Sequence, residues 1–303
     1  MSGEYPLEDF GTAAPDEIQA ALETGRIVYF SRCPIELPAE SDLDWLRTSL
    51  NAELKAKNIS YHPESDSIPR FKADRDTRNR VEGLLRRHGE RVTDFWRHVL
   101  PDFIPGCTFG TTSFRPMEEK GRDLKPRSSN ELVHIDAGAY GATNGARILR
   151  FFVNVHPTHD RVWGTKGSFA DLMHQQSPLW RAAKGGKPQV PVEKGPLDRL
   201  YSGLVSTASQ VYPLLRVIDS SPYDRSMRRI HNHMKESAEF KDDHSDYREA
   251  RFPPMSAWMV FTDGISHAAL TGQFAFISTA LIPLRNCRDF GRTPYGILAA
   301  ANG

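Results

Sequence analysis

The sequence contains few cysteines, no long apolar run and no excess of either charge. Its three cysteines, Cys33, Cys107 and Cys287, lie at wide spacings, which fits neither a disulfide framework nor a zinc finger and favours a reducing cytosol. No run of about 18 apolar residues is present, which excludes a membrane-spanning helix, and the N-terminus lacks the basic and apolar segments of a signal peptide. The formal net charge is +1, so no overall electrostatic field favours a nucleic-acid partner.

The chain also lacks a Ser/Gly/Pro-rich linker, a low-complexity tract and an internal repeat. Hydrophobic residues make up 39% and charged residues 25% of the 303 residues, which is typical of a soluble globular enzyme with a large core. We therefore expect a cytoplasmic protein whose residues 1 to 303 form a single domain. Peripheral contact with a membrane surface stays open, and the sequence does not indicate the oligomeric state.

The most informative motif is the tripeptide His134-Ile135-Asp136, together with His267 in the stretch TDGISHAAL. Side chains two apart on a β-strand point to the same side, so His134 and Asp136 can bind one metal ion together. A distant His completes a facial triad of two imidazoles and one carboxylate. Three open coordination positions then suit Fe(II) that must also bind an oxo-acid co-substrate and dioxygen.

A second His-x-Asp tripeptide, His244-Ser245-Asp246, lies in the stretch KDDHSDYREA, which is charged and has no apolar alternation. We interpret it as a solvated loop. The first copy follows Leu132 and Val133 and precedes a Gly-rich turn and the strand pattern ARILRFFVNVHP. Its context favours a metal site, although a buried His hydrogen-bonded to a neighbouring carboxylate is the alternative.

The apolar periodicity predicts helices over residues 16 to 24, from an N-cap at Ser41, and over residues 77 to 99 with a possible break at Gly89. The stretches GPLDRLYSGLVSTASQVYPLLRVI and SPYDRSMRRIHNHMKESAEF predict two more helices, and GGKPQVPVEKGP predicts a loop. Strands are predicted over residues 27–30, 108–115, 147–156, 255–262, 267–270 and 274–283. The turns TDG and TGQ suggest that the last three strands are adjacent and antiparallel.

This order of elements predicts a mostly β protein with flanking α-helices, built on a double-stranded β-helix, a jelly-roll or cupin-like core. The N-terminal part would cover residues 1 to 105. The jelly-roll core would comprise residues 106 to 165 and 251 to 290, and a helical insertion would occupy residues 168 to 250.

Four stretches, ELVHIDAG, GARILRFFVNVHP, RVWGTKGSFADL and FPPMSAWMVFTDGISHAALTGQ, resemble the Fe(II)/2-oxoglutarate-dependent Kdo hydroxylases, which act on the 3-deoxy-octulosonate sugar of lipopolysaccharide. The resemblance covers roughly residues 108 to 284. It implies that 2-oxoglutarate is converted to succinate and carbon dioxide while dioxygen hydroxylates a Kdo sugar of lipid A at the 3-position. The implied partners are this sugar substrate, dioxygen and, for a lipid-linked sugar, the inner membrane surface.

A 2-oxoglutarate site also needs a cation for the distal carboxylate. Many such oxygenases place an Arg on the strand after the distal His, but that strand carries Phe276, Ile277 and Ser278 here. The cation must come from elsewhere, and any single Arg could instead form a surface salt bridge. The first candidate for this co-substrate site is Arg150, whose polar strand face also carries the candidate Asn154, whereas Arg147 lies on the apolar face of the same strand. Arg115 is the second candidate and Arg285 the third.

For the sugar and its carboxylate we expect a further cation and an aromatic wall, with Arg127, Lys125 and Trp163 as candidates. The alternatives are that the two cations solvate a turn and that the indole packs in the core. His231 and His233 lie two apart on a predicted helix, so their side chains diverge and do not share an ion.

Other functions remain open at this point. The same ligands could serve a 2-oxoglutarate-dependent hydroxylase of another small molecule or of a peptide. They could also hold zinc in a cupin-type hydrolase or isomerase, and a metal-free barrel could simply bind a sugar.

Overall fold

The computed structural model describes residues 3–50, 58–118, 120–121, 123–139, 142–175, 192–193, 195 and 221–301. Within them the strands are β1 (Gly3–Glu4), β2 (Val28–Phe30), β3 (Ile59–Tyr61), β4 (Thr108–Arg115), β5 (Arg147–Asn154), β6 (Arg161–Thr165), β7 (Arg248–Phe252), β8 (Ala257–Phe261), β9 (Ala268–Thr271) and β10 (Ala275–Ile282). The helices are α1 (Pro15–Glu23), α2 (Glu40–Arg47), α3 (Arg75–Val99), α4 (Phe169–Gln175), α5 (Pro222–Glu236), α6 (Ala238–Asp242) and α7 (Pro294–Ala300).

The strands form two sheets. The larger has the order β2-β8-β5-β10-β4-β3 and the smaller has the order β1-β7-β6-β9. Consecutive strands β8, β9 and β10 alternate between the sheets, so the expectation that they are adjacent antiparallel neighbours is wrong. Both turns carry the chain from one sheet to the other, which is how a jelly roll encloses a space between two sheets. The predicted fold class, a double-stranded β-helix with flanking helices, is confirmed.

Helix α3 covers the outer face of the larger sheet. Asp74 caps its N-terminus by accepting hydrogen bonds from Asp76 N and Thr77 N at 3.0 and 2.9 Å. The apolar stripe predicted from its sequence is buried. The predicted break at Gly89 is wrong: a Cβ at this position would lie 2.6 Å from Thr112 Oγ1, so the glycine allows the intact helix to lie close to β4.

Most other predicted elements are present with small shifts at their ends. Helix α2 begins at Glu40 with Ala39 as N-cap, so Ser41 lies inside the helix and is not its cap. The helix predicted from SPYDRSMRRIHNHMKESAEF is confirmed as α5 and α6, with Ser221 as N-cap of α5. The other predicted insertion helix and the loop GGKPQVPVEKGP lie, apart from single positions, outside the described residues. Over the described part of the chain, no helix combines the length and the apolar character needed to cross a bilayer.

Candidate metal centre and its cavity

The three predicted metal ligands come from two chain segments that pair through their backbones. His134 and His267 form an isolated antiparallel bridge, with N–O distances of 3.0 Å from His134 N and 2.7 Å from His267 N. Asp136 N donates to Thr262 O at 2.8 Å, which is a further hydrogen bond between the same two segments outside the register of the bridge. Two hydrogen-bonded segments thus bring side chains that are far apart in sequence to the same place.

The ligand atoms of His134, Asp136 and His267 all lie within 4.8 Å of one another. His134 Nδ1 faces the Leu132 carbonyl at 2.7 Å, and His267 Nδ1 faces the Ile265 carbonyl at 3.2 Å. A carbonyl only accepts, so Nδ1 carries the proton in each ring and Nε2 keeps a lone pair for a metal. His134 Nε2 is 3.9 Å from Asp136 Oδ1, too far for the alternative of a simple hydrogen-bonded pair.

Electrostatics keep the three groups in the protonation states that a metal requires. Burial raises the pKa of the Asp136 carboxyl, but Arg150, at 2.9 Å from Oδ2, and then the two imidazoles hold it well below its usual range. Burial lowers the pKa of His267 to about 4 and moves that of His134 in the same direction. At neutral pH the set is one carboxylate and two neutral imidazoles, which fits a divalent transition metal with open positions.

These pKa shifts predict that metal affinity changes little with pH. Two imidazoles with an ordinary pKa near 6.5 would lose about 100-fold in affinity on going from pH 8 to pH 5.5, since both must release a proton. Because burial lowers both pKa values, that of His267 to about 4, this loss of affinity is displaced to more acidic pH. We expect the dissociation constant for Co(II), measured by calorimetry, to change less than about 3-fold between pH 8 and 5.5. A 100-fold change would contradict this reading.

The metal centre opens into a cavity of about 410 Å³ between the two sheets. Three guanidinium groups line it: Arg115 from β4, Arg150 from β5 and Arg161 from β6. Its other polar lining includes Asn58, Ser60, Thr111, Ser113, Asn130 and Thr279. The volume suits a small-molecule site, and the three cations suit ligands that carry carboxylates.

Two of the co-substrate candidates, Arg150 and Arg115, line this cavity. Arg147 lies on the opposite face of β5, where its Nε is 2.6 Å from Asp263 Oδ2. Asn154 is buried and donates through Nδ2 to the carbonyls of His159 and Phe252, each at 2.9 Å. Arg147 and Asn154 therefore support the fold and do not line the cavity.

Among the three predicted substrate residues, Trp163 lines the cavity and stacks on His267 with ring centroids 5.1 Å apart. Its Nε1 is buried and has no hydrogen-bond partner among the described residues. Arg127 and Lys125 are exposed outside the cavity, and Arg127 forms a salt bridge with Glu236 at 2.5 Å. Arg285, the remaining cation considered, packs against Gly106 and also lies elsewhere.

Two residues that lie near the site, Arg161 and His231, were not predicted to do so from the sequence. Arg161 is 1% exposed and lines the cavity with Trp163. The two residues are two positions apart on one strand, so the prediction for Trp163 could have indicated that Arg161 faces the same side. His231 comes from α5, with its ring centroid 5.1 Å from that of His134, and no sequence pattern indicates this contact. The second His-x-Asp tripeptide, His244-Ser245-Asp246, is exposed, as predicted.

A His-x-Asp…His set between the two sheets of a jelly roll defines a class: the metal-dependent oxygenases of the double-stranded β-helix fold. Comparison with known proteins gives the particular family. The chain belongs to the 3-deoxy-D-manno-oct-2-ulosonic acid (Kdo) hydroxylase family, whose model matches residues 10–303. The match includes the N-terminal part, for which the sequence resemblance had found nothing specific. No curated protein matches the chain.

Solved structures of the Kdo hydroxylase KdoO, a non-heme Fe(II) alphaketoglutarate-dependent dioxygenase, share the fold. The apo structure is 25% identical with a TM-score of 0.77, and the match covers 99% of this chain and 94% of that one. The complex with alphaketoglutarate and Fe(III) is 24% identical, and the cobalt(II) complex is 25% identical. Both have a TM-score of 0.76 and the same coverage.

Proposed function

We propose that this protein is an Fe(II)- and 2-oxoglutarate-dependent dioxygenase that hydroxylates a Kdo sugar of lipid A at the 3-position. The observation that carries the proposal is the convergence of His134, Asp136 and His267 to within 4.8 Å beside a cavity lined by three guanidinium groups. Membership of the Kdo hydroxylase family and the metal and 2-oxoglutarate complexes of KdoO support the same activity.

His134, Asp136 and His267 would hold the iron through Nε2, Oδ1 and Nε2. When bound, Fe(II) supplies the oxidative chemistry that converts 2-oxoglutarate and dioxygen to succinate and carbon dioxide and adds one oxygen atom to a C–H bond. Arg150 keeps Asp136 ionised and holds its second oxygen, Oδ2, at 2.9 Å. This pairing leaves Oδ1 free to bind the metal as a single-oxygen ligand.

The cations of the cavity would bind the carboxylates of the two organic substrates. Arg150 uses Nη2 for Asp136, whereas its buried Nε has no hydrogen-bond partner among the described residues. We assign this N–H to the distal carboxylate of 2-oxoglutarate, because the same guanidinium contacts the metal ligand Asp136 and lines the cavity. Arg115 and Arg161 line the same cavity and would bind the carboxylate of Kdo.

Trp163 would complete the sugar site. Its indole stacks on His267 and its Nε1 offers an unused donor inside the cavity, where a hydroxyl or carboxylate oxygen can accept it. The buried ring also shields the metal centre from bulk water.

We further propose that residues 1 to 303 act as one catalytic unit, because the N-terminal helices and the larger sheet share one hydrophobic core. We also propose that the protein works in the cytoplasm in peripheral contact with the inner membrane, where a lipid-linked Kdo sugar would be presented. Cell fractionation with and without lipid A precursors tests this location.

The experiment that tests the activity is incubation of purified protein with a Kdo-bearing lipid A precursor, 2-oxoglutarate and oxygen. We expect succinate to form only with Fe(II), and the lipid to gain the mass of one oxygen atom. Support by Zn(II) without 2-oxoglutarate would instead indicate a hydrolase, and succinate without a change in the lipid would indicate another acceptor.

A further inference from the structure

The segment that carries His134 and Asp136 has little secondary structure of its own. Between residues 129 and 146 the described part contains only the isolated bridge from His134 to His267. A metal site needs its ligands fixed to within a fraction of an ångström, which loops achieve only with support from rigid elements. The structure provides this support through α5.

Helix α5 contacts the ligand segment and its flanks at three places. Lys235 Nζ donates to the Arg127 carbonyl at 3.3 Å, and His231 lies 2.7 Å through Nδ1 from the Ile135 carbonyl. Asp224 Oδ1 accepts from Thr143 N at 2.6 Å and from Asn144 N at 3.2 Å. Positions 224, 231 and 235 recur at the spacing of one helix face, so one side of α5 follows the segment along its length.

Apolar side chains between these contacts also pack helix α5 against the ligand segment. Ile135 is fully buried in a cluster with Met227, Ile230 and Met234 of α5. The helix is itself fixed at its N-terminus, where Ser221 and Asp224 form a reciprocal capping box. A well-anchored helix therefore holds a segment with irregular backbone.

His231 is the central contact, because Ile135 is the residue between the two metal ligands. The Ile135 carbonyl can only accept a hydrogen bond, so His231 Nδ1 carries the proton and donates. The His231 ring also meets the His134 ring edge-on, at 5.1 Å and 80°. One side chain thus fixes the peptide that joins both ligands and the ring plane of the first.

We propose that His231 is a positioning residue of the metal centre, and that α5 holds His134 and Asp136 in the geometry that binds the metal. This inference rests on the proposed metal site. It predicts that loss of the His231 donor weakens metal binding, although His231 touches neither the metal nor a substrate. Outer partners of metal ligands typically contribute about 10- to 100-fold to affinity.

The test compares Co(II) dissociation constants, measured by calorimetry without any turnover, for three variants. His231→Phe keeps a ring but removes the donor, and we expect its Kd to rise by about 10- to 100-fold. His231→Asn places an amide N–H near the position of Nδ1, so most of the affinity should return. Arg228→Ala, on the exposed face of the same helix, should leave Kd unchanged.

An unchanged Kd in His231→Phe, with wild-type binding intact, would overturn the inference and leave the proposed function standing. Absence of Co(II) binding in the wild-type protein would instead refute the metal site, and the inference with it. If circular dichroism shows that His231→Phe does not fold, His231→Leu provides the decision. It removes the same donor with a smaller apolar side chain, and we expect Kd to rise by about 10- to 100-fold, whereas no rise would overturn the inference.

Discussion

Asp136→Ala is expected to lower 2-oxoglutarate turnover by at least about 1,000-fold, because a loss of some 4 kcal/mol in metal binding corresponds to that factor. The substitution removes the only anionic ligand of the set. It also leaves the Arg150 guanidinium, now without the carboxylate at 2.9 Å, beside a divalent cation. Two like charges in a partly buried site repel, so Co(II) affinity and turnover should fall together.

The chain offers a matched control in its second His-x-Asp tripeptide. His244→Ala changes the same residue type in the same pattern, but on an exposed loop. Its turnover and Co(II) affinity should equal those of the wild type. If Asp136→Ala kept more than a tenth of wild-type turnover, or His244→Ala lost activity, the assignment of the metal site to the first tripeptide would be wrong.

The choice between these two tripeptides shows what the sequence could decide. His134 and Asp136 are flanked by apolar residues and by a strand of the core, while His244 and Asp246 lie in a run of charges. Burial follows apolar context, so the sequence correctly separated a largely buried pair from an exposed one. Strand β5 was predicted for a similar reason, because a mainly apolar run marks a strand of a sheet core.

The sequence could not decide which strands pair, and it indicated only some of the arginines that face the cavity. Turns such as TDG are compatible both with a hairpin and with a crossing between sheets, and only packing of the whole core selects the second. Arg150 and Arg147 differ in strand parity, and Arg150, which the polar face favoured, lines the cavity. Arg161 belongs to the smaller sheet, so its position in the cavity depends on how the two sheets face each other. The pattern of a single strand does not predict that arrangement.

The same limit applies to the contacts of helix α5. Its amphipathic pattern predicted the helix, which is present as α5. The pattern could not predict which surface of the protein the helix covers. His231 reaches Ile135 across 96 positions of sequence, and such a contact follows from tertiary packing alone.

Asp263→Asn is expected to lower the free energy of unfolding by about 3–5 kcal/mol, because it leaves the Arg147 guanidinium buried without a counter-charge. Both side chains are 2% exposed, and Arg147 Nε lies 2.6 Å from Asp263 Oδ2. Asp263 Oδ1 also accepts from Ile148 N at 3.0 Å. An Asn can keep one of these contacts, but its amide N–H groups then face the guanidinium donors.

Urea unfolding of three variants measures this effect. Asp94→Asn is the control, since the Asp94–Arg97 salt bridge is exposed and its loss should cost less than about 1 kcal/mol. The double variant Arg147→Met/Asp263→Asn removes the unpaired buried charge. Met can still cover the Phe261 ring, whose centroid lies 4.0 Å from the Arg147 guanidinium carbon. It should therefore recover about half or more of the loss.

The position of Asp263 extends this effect from stability to the metal centre. The residue lies in the stretch TDGISH between β8 and His267, so the buried ion pair fixes the start of the segment that carries the third metal ligand. Asp263→Asn should accordingly weaken Co(II) binding, whereas Asp94→Asn should not. A variant that loses less than about 1 kcal/mol of stability would show that the pair contributes little beyond the packing of its side chains.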